Sequence, residues 1–438
     1  MSRPAEPLSP VAEPAADLAR RGLSRAARGL VGSEILKIAA EIRALQASGS
    51  TICNLTVGDF ARTEFRIPQA LEAYVSEALA AGETCYPPSD GMRELRVEIG
   101  RLYERAFATS YPLDSILVTA GARPAIYATF QTILDPGEKV LYPVPSWNNN
   151  HYVSLARAEA IELVVGPDTN FLPTAEAIAP RLAGVRLICI NSPLNPTGTL
   201  LDEREVRAIA DLVVDENRRR AAAGERALFV MWDQVYWMLT FGTARHHAPT
   251  TLVPESAAWT IYVDGISKSL AATGLRVGWA VAPPWVAAPM RDFLGHVGAW
   301  APRPEQVATA RLLADPAPLE AFHTRMLGEV ERRLSMLHDG FAAMAMDGHP
   351  VATVPPQGAI YLSARFDLIG RNYQGTKLAS NEQIRNLLLA KAGFAVVPFQ
   401  AFGLREDTGW MRLSVGAVSP AEIASGLARV RALLECLA

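Results

Sequence analysis

The run TIYVDGISKSLAATGLRVGWAVA, residues 260–282, sets one lysine, Lys268, in a polar turn between two apolar stretches, Ile261 to Val263 and Val277 to Val281. A lysine held near the interior by two buried strands loses hydration. Its ammonium pKa then falls and the amine becomes a usable nucleophile. The plainer reading is a snorkelling lysine beside a hairpin, its stem covered and its head in water. Other polar groups also stand directly behind apolar runs. Ala120-Gly121-Ala122-Arg123 follows Ser115–Thr119, and Pro143-Val144-Pro145-Ser146-Trp147 follows Lys139–Tyr142. NSPLNPTG, with Asn195, follows Val185–Ile190, and Asp233 with Tyr236 follows Ala227–Trp232. Asn195 alone reads equally well as a turn residue, because Asn-Pro-x-Gly is strong turn chemistry.

The elements that must position these groups follow from periodicity. Apolar runs at 115–119, 139–142, 160–165, 185–190 and 227–232, with the two around Lys268, read as strands. Helical patterns over 123–134, 175–182 and 202–222 separate several of them. Near-continuous apolar strands alternating with helices indicate an α/β fold, a mostly parallel seven-stranded-type sheet covered by helices on both faces.

Ahead of this region, Ser33 is placed to cap a helix carrying Ile35, Ile38, Ile42 and Leu45, which Gly49 stops. A strand over 52–57 ends at Gly58-Asp59, and Pro68 opens a helix to about Ala81. A turn-rich loop from Tyr86 to Gly91 precedes a helix with Leu95, Ile99 and Leu102. After Pro304 a long helical region to Met346, interrupted near Pro316 and Pro318, gives way to strands at 359–363, 395–397 and 410–414. A final helix runs from Pro420 to Leu437. Helices followed by an antiparallel sheet predict a smaller α+β domain, to which the N-terminal segment contributes. The expected division is a flexible tail or arm over 1–32, a small-domain segment over 33–75, a large cofactor-binding domain over 76–304 and a small C-terminal domain over 305–438.

Composition narrows the function. Half of the 438 residues are hydrophobic, ample for a large core, and a net charge of −3 is no design for nucleic acid. No run approaches the ~18 uninterrupted apolar residues of a membrane helix. Cys53, Cys85, Cys189 and Cys436 are scattered without paired spacing, so neither a disulfide framework nor a zinc site is expected. His246-His247 likewise lack metal-ligand spacing, and no metal is expected. The Pro- and Ala-rich start is no secretory signal, and Glu6, Glu13 and Asp17 argue against a transit peptide, which leaves the cytoplasm as the expected compartment.

In open α/β sheets ligands bind outside the carboxyl ends of the strands. One rim here offers an amine, a glycine-containing helix start that can hold phosphate, an aromatic plate, an amide, a carboxylate and a phenol. Pyridoxal phosphate has a use for each: a lysine for its aldehyde, a stacking partner for its ring, an anion for its pyridinium nitrogen and neutral donors for its phenolic oxygen.

Five motifs in order, TAGARPAIYATF, NSPLNPTG, DQVY, SKSLAATGLRVGW and WMRLS, resemble a class I/II aminotransferase of the type I fold of pyridoxal phosphate enzymes, aspartate aminotransferase-like, from about Ser33 to the C-terminus. By that resemblance Lys268 is similar to the Schiff-base lysine, which also shuttles a proton between Cα and the cofactor. Asp233 resembles the aspartate facing the ring nitrogen, Tyr236 and Asn195 the donors to the phenolic oxygen, and Trp147 the stacking aromatic. Arg276, with backbone groups of Gly121, Ala122 and Arg123, resembles the phosphate site. Where the family often has Ser or Thr three residues before the lysine, this chain has Gly265; Ser267 or water is the expected replacement. Arg412 resembles the arginine that grips the substrate α-carboxylate, and Gly58 the glycine whose backbone approaches it. Tyr86 resembles a tyrosine that crosses a dimer interface to the partner's cofactor, which implies a homodimer with shared sites.

The resemblance thus implies ping-pong transfer of an amino group from an amino acid to a 2-oxo acid. Another enzyme on the same scaffold, a β-eliminase, cyclase or decarboxylase, would share these residues. A cofactor-sensing regulator would need a DNA-binding module, for which the stretch ahead of Ser33 is too short and too Pro-rich. Asn148 to His151, Trp300 and Arg303 are candidates for side-chain recognition. A free arginine there would favour an acidic substrate, and the aromatics an apolar one.

Overall fold

The computed structural model describes residues 21–436 apart from 30, 31 and 33. Most of the expected tail, and the cap given to Ser33, lie outside the described residues. The strands in chain order are β1 (Cys53–Asn54), β2 (Ile116–Thr119), β3 (Lys139–Val144), β4 (Glu159–Val164), β5 (Val185–Asn191), β6 (Phe229–Asp233), β7 (Thr260–Gly265) and β8 (Gly278–Val281). They continue with β9 (Val351–Thr353), β10 (Tyr361–Phe366), β11 (Asn372–Tyr373), β12 (Thr376–Lys377), β13 (Phe394–Ala395), β14 (Val397–Pro398) and β15 (Trp410–Ser414).

The large sheet has seven strands in the order β2-β8-β7-β6-β5-β3-β4. All are parallel except β8, which runs antiparallel to both neighbours. The apolar strands are continuous because both faces are covered, and alternate residues feed separate cores. Val230, Trp232, Tyr262 and Trp279 enter one core. Phe229, Met231, Val263 and Ala280 enter the other, against Ile126, Phe130 and Met290 of helices Ala122–Ile133 and Pro284–Val297. Helix Glu203–Ala223 begins where Asp202 accepts the Glu205 amide and ends at Gly224, whose φ of 69° suits a glycine.

A second, four-stranded antiparallel sheet, β14-β15-β10-β9, forms the smaller domain with helices Pro316–Met346, Asn381–Ala392 and Pro420–Glu435. The last helix starts with a full capping box between Ser419 and Glu422. The N-terminal segment joins this side: β1 pairs parallel with β13, and Glu41 of helix Glu34–Ala47 forms an ion pair with Arg385.

Four expectations need correction. The strand over 52–57 pairs only at Cys53–Asn54, because the chain then turns toward the site. The helix over 175–182 breaks into Ala175–Ile178 and a 3-10 turn, Ala179–Arg181, where Pro180 removes an amide donor. The turn carrying Lys268 is a one-turn helix, Ile266–Ser269, and β8 starts at Gly278 rather than Val277. Helices Asn149–Ala156 and Pro284–Val297 were not foreseen. Asn148 opens the former in a left-handed conformation with no side-chain cap, and Asn149 instead donates to Ser146.

Candidate active site

Three glycines let the strand ends approach backbone to backbone. A Cβ on Gly265 would lie 2.8 Å from Cα of Gly278, and one on Gly278 would lie 2.5 Å from the carbonyl carbon of Gly121. A Cβ on Gly121 would meet a guanidinium nitrogen of Arg276 at 2.2 Å. Gly265 thus explains itself. A serine or threonine there needs space that β8 occupies, and Ser267, half-buried on the same short helix, is the nearby hydroxyl. Gly121 is the N-cap of helix Ala122–Ile133 and supplies no side-chain cap, and the first-turn amides of Ala122 and Arg123 have no intrahelical acceptor. Arg276 is fixed under this helix start by bonds to the Thr273 carbonyl (2.6 Å) and the Ala120 carbonyl (3.0 Å). A helix N-terminus beside a guanidinium is an anion site. The Arg123 guanidinium lies 5.3 Å from the centre of the Trp147 ring.

The amine of Lys268 donates to the Gly58 carbonyl at 2.6 Å and stands 5.9 Å from the Tyr236 ring centre. Burial lowers its pKa to about 8; Asp59 pulls it up, and Arg412, Arg123 and Arg276 push it further down. Asp233, at the end of β6, is pushed up to about 7 by burial, against the Val235 amide and the charge of Lys268.

Arg412 on β15 is buried, with Nη2 on the Thr56 carbonyl (2.5 Å) and Nη1 on Oδ1 of Asn195 (3.4 Å). Its guanidinium lies 4.8 Å from the ring centre of Tyr361 and 4.9 Å from that of Phe402, while its Nε has no hydrogen-bond partner. A Cβ on Gly58 would come within 2.6 Å of the Tyr361 hydroxyl and 3.6 Å of Arg412. Tyr236 shares a 2.7 Å hydrogen bond with the Tyr361 hydroxyl. Asp59 accepts from Thr273 at 2.6 Å and ties the bend at Gly58 to the loop behind Lys268.

The structure therefore brings Lys268, Gly58, Asn195, Tyr236 and Arg412 into one contact chain, and Gly121, Ala122, Arg123, Trp147 and Arg276 into another beside it. Sequence reasoning missed Tyr361, Thr56, Asp59, Thr273 and Phe402. Only Asp59, next to Gly58, carried a local signal. Tyr86 stands apart, 84 % exposed and edge-on to Trp300 at 5.4 Å. Arg303 is no free cation, because its Nε is 2.5 Å from Glu83. Among the described residues no group of three or more His, Cys, Asp or Glu is set to hold a metal ion. No helix among them is long and apolar enough to cross a membrane.

Residues 50–430 match the family model "Aminotransferase class I and II". The chain belongs to that family. As an aminotransferase of the pyridoxal phosphate type I fold, it is 28 % identical over 422 residues to an aspartate aminotransferase of Geobacillus stearothermophilus, covering 95 % of this chain and 100 % of that one. It is also 28 % identical over 419 residues to a probable aspartate/prephenate aminotransferase of Aquifex aeolicus, covering 95 % and 99 %. Among solved structures, the aspartate aminotransferase of Rhizobium meliloti superposes with a TM-score of 0.85 at 25 % identity, covering 95 % of this chain and 99 % of that one. The Thermus thermophilus aspartate aminotransferase with maleate gives 0.83 at 27 %, covering 94 % and 100 %.

Proposed function

We propose that this aminotransferase carries pyridoxal 5'-phosphate covalently on Lys268 and moves an amino group from an L-amino acid to a 2-oxo acid in two ping-pong half-reactions. The residues fit the group. The turn at Gly121, Ala122, Arg123, Arg276 and Ser267 suits its phosphate, Trp147 its ring face, Asp233 its ring nitrogen, and Asn195 and Tyr236 its phenolic oxygen. When bound, the cofactor supplies an electron sink for the substrate's α-carbon. The carrying observation is the Lys268 amine, held on the Gly58 carbonyl beside the buried guanidinium of Arg412. A lysine with a pKa near 8 has a substantial unprotonated fraction at neutral pH, as a nucleophile and general base require.

Arg412 binds the substrate carboxylate, with the unpartnered Nε as a spare donor and Asn195 steadying Nη1. Gly58 presents its carbonyl to the lysine and leaves room for that carboxylate beside Tyr361. Lys268, the residue that would hold the cofactor, would also take and return the substrate's α-proton. Asp233 keeps a negative charge opposite the ring nitrogen once a cation faces it. Tyr361 restrains the Tyr236 hydroxyl. We place the enzyme in the cytoplasm as a homodimer, with the exposed Tyr86 reaching the partner's site.

The test is spectral. Wild-type protein loaded with pyridoxal phosphate shows a visible band that the Lys268→Ala variant lacks, and donor amino acids bleach it with one equivalent of oxo acid. Protein that takes up no cofactor overturns the reading, and free ammonia instead of oxo-acid-coupled transfer moves it to elimination.

A further inference from the structure

Behind the rim that carries Lys268 and Asp233, on the opposite face of the sheet, lies a buried polar cluster that the mechanism above does not use. Asp233 and Gln234 are consecutive, so their side chains leave the sheet edge on opposite sides. Gln234 continues the register of β6 on β7, its amide bonding the Val263 carbonyl at 2.9 Å, and stands next to Asp264. Asp264 is in turn paired across the ladder with Trp279 of β8. Three adjacent strand ends thus present Gln234, Asp264 and Trp279 on one face, each 2 % exposed or less.

All three meet one phenol. The hydroxyl of Tyr103, from helix Arg93–Phe107, donates to Oδ2 of Asp264 at 2.9 Å. It accepts from Nε2 of Gln234 at 3.1 Å and from Nε1 of Trp279 at 3.1 Å. One proton given and two lone pairs filled is the complete capacity of a phenol. The other carboxylate oxygen of Asp264 accepts the Gly265 amide at 2.7 Å, at the residue from which the Lys268 helix starts. On the far side Oε1 of Gln234 meets His246 at 3.3 Å.

We propose that Tyr103 is a positioning residue, a hub whose hydroxyl fixes the ends of β6, β7 and β8 and so holds the Lys268 helix and Asp233 in register. It touches neither substrate nor cofactor. Its leverage comes from geometry: the only covalent step between Asp264 and the Lys268 helix is Gly265, and the only one between Gln234 and Asp233 is a peptide bond. Every group facing the Asp264 carboxylate, the Gly265 amide, the Tyr103 hydroxyl and the Gln234 amide, is a donor, so the ionised form is the one the cluster satisfies. Burial pushes Asp264 up to about 7, and the nearby Asp233 adds to the rise. The other titratable neighbours of the hub are Tyr111 and Tyr262, which pack edge-on against the Tyr103 ring, and His246 beside Gln234. Those facing Lys268 are Asp59, Arg412, Arg123 and Arg276.

The experiment has two arms, because the kinetic consequence rests on the proposed function while the positioning itself does not. In cofactor-free protein, the rate at which an amine-directed acylating reagent labels Lys268 is followed against pH by peptide mass spectrometry. Loss of the hub hydroxyl in Tyr103→Phe loosens the lysine helix and admits water, so the labelling midpoint rises by about half a pH unit or more, roughly a threefold change in the amine fraction. Trp279→Phe removes one of the three bonds and moves the midpoint in the same direction by less. Where Tyr103→Phe does not accumulate as folded protein, Trp279→Phe decides. In loaded enzyme, kcat falls about tenfold while the donor KM stays within about twofold, as expected for a group that aligns the reacting lysine and leaves the carboxylate grip alone. A labelling midpoint that stays at the wild-type value in the folded variant overturns the proposal, whatever happens to the melting temperature. A midpoint that moves in a protein inactive toward every donor upholds the hub and overturns the proposed function instead.

Discussion

At one end of the site, Gly121, Gly265 and Gly278 press the backbones of neighbouring strand ends together, and Arg276 is fixed to carbonyls within that same region. At the other, Arg412 donates a hydrogen bond to a carbonyl 356 residues away and packs against Tyr361 and Phe402, which come from other segments again. The anion end is made of close-packed main chain inside one sheet. The other end, which the proposal gives to the substrate carboxylate, is made of side chains and carbonyls drawn from five stretches, around Thr56, Asn195, Tyr361, Phe402 and Arg412. A rigid, local site suits a resident group that must never be misplaced. An assembled site can tighten on a substrate that comes and goes.

Arg412→Ala should have the largest effect. Removing a buried, hydrogen-bonded charge costs about 2–5 kcal/mol, so kcat/KM for the amino donor should drop roughly 10²–10³-fold while the cofactor band persists. Steady-state kinetics beside a spectral cofactor titration measures both, and a variant that instead sheds cofactor would erase the distinction between the two ends. Gly278→Ala attacks the other end. Its Cβ meets main chain, so Gly121 must move; overpacking of this kind costs about 1–3 kcal/mol. Cofactor binding should weaken about tenfold or more with the donor KM little changed, and equilibrium dialysis checks this.

A third test, Asp233→Asn, is read as stability of the cofactor-free protein. The folded-state pKa of Asp233 lies above its unfolded value, so its protonated form favours folding. That contribution is present at low pH and is lost as pH rises through about 7. The asparagine loses nothing over that range. Its advantage should open between about pH 4 and 7 and reach about 2–4 kcal/mol above it. Urea melts at pH 5 and pH 8 test the sign, and equal shifts at both would show that the carboxylate is not carrying a burial penalty.

The anion end was legible because its parts are near in sequence. Lys268, Arg276 and the Gly121 turn each sit directly behind an apolar run, and the strand period placed those runs on one rim. The carboxylate end was legible only where a motif marked it, at Arg412 and Gly58. Tyr361 and Phe402 read as core aromatics, and the Thr56 carbonyl is a backbone group with no side-chain signature at all. Nor does an apolar run carry a direction, so the antiparallel insertion of β8 between β2 and β7 could not be read from Val277 to Val281. Gly265 departs from the Ser or Thr that the resemblance leads one to expect. Its neighbour Gly278 shows that the strand spacing, set by a backbone contact, leaves no room for the hydroxyl.

The parallel pairing of β1 with β13 has a consequence for how the protein is made. Cys53 waits for Phe394, so the earliest strand of the chain has no partner until more than 300 further residues have left the ribosome. At roughly 5–20 residues per second that is on the order of tens of seconds. The large sheet, whose strands all lie between residues 116 and 281, can form meanwhile. The Thr56 and Gly58 carbonyls can meet Arg412 and Lys268 together only after residue 412 has been made, so the nascent chain can assemble the Gly121–Arg276 turn well before the Arg412 contacts form.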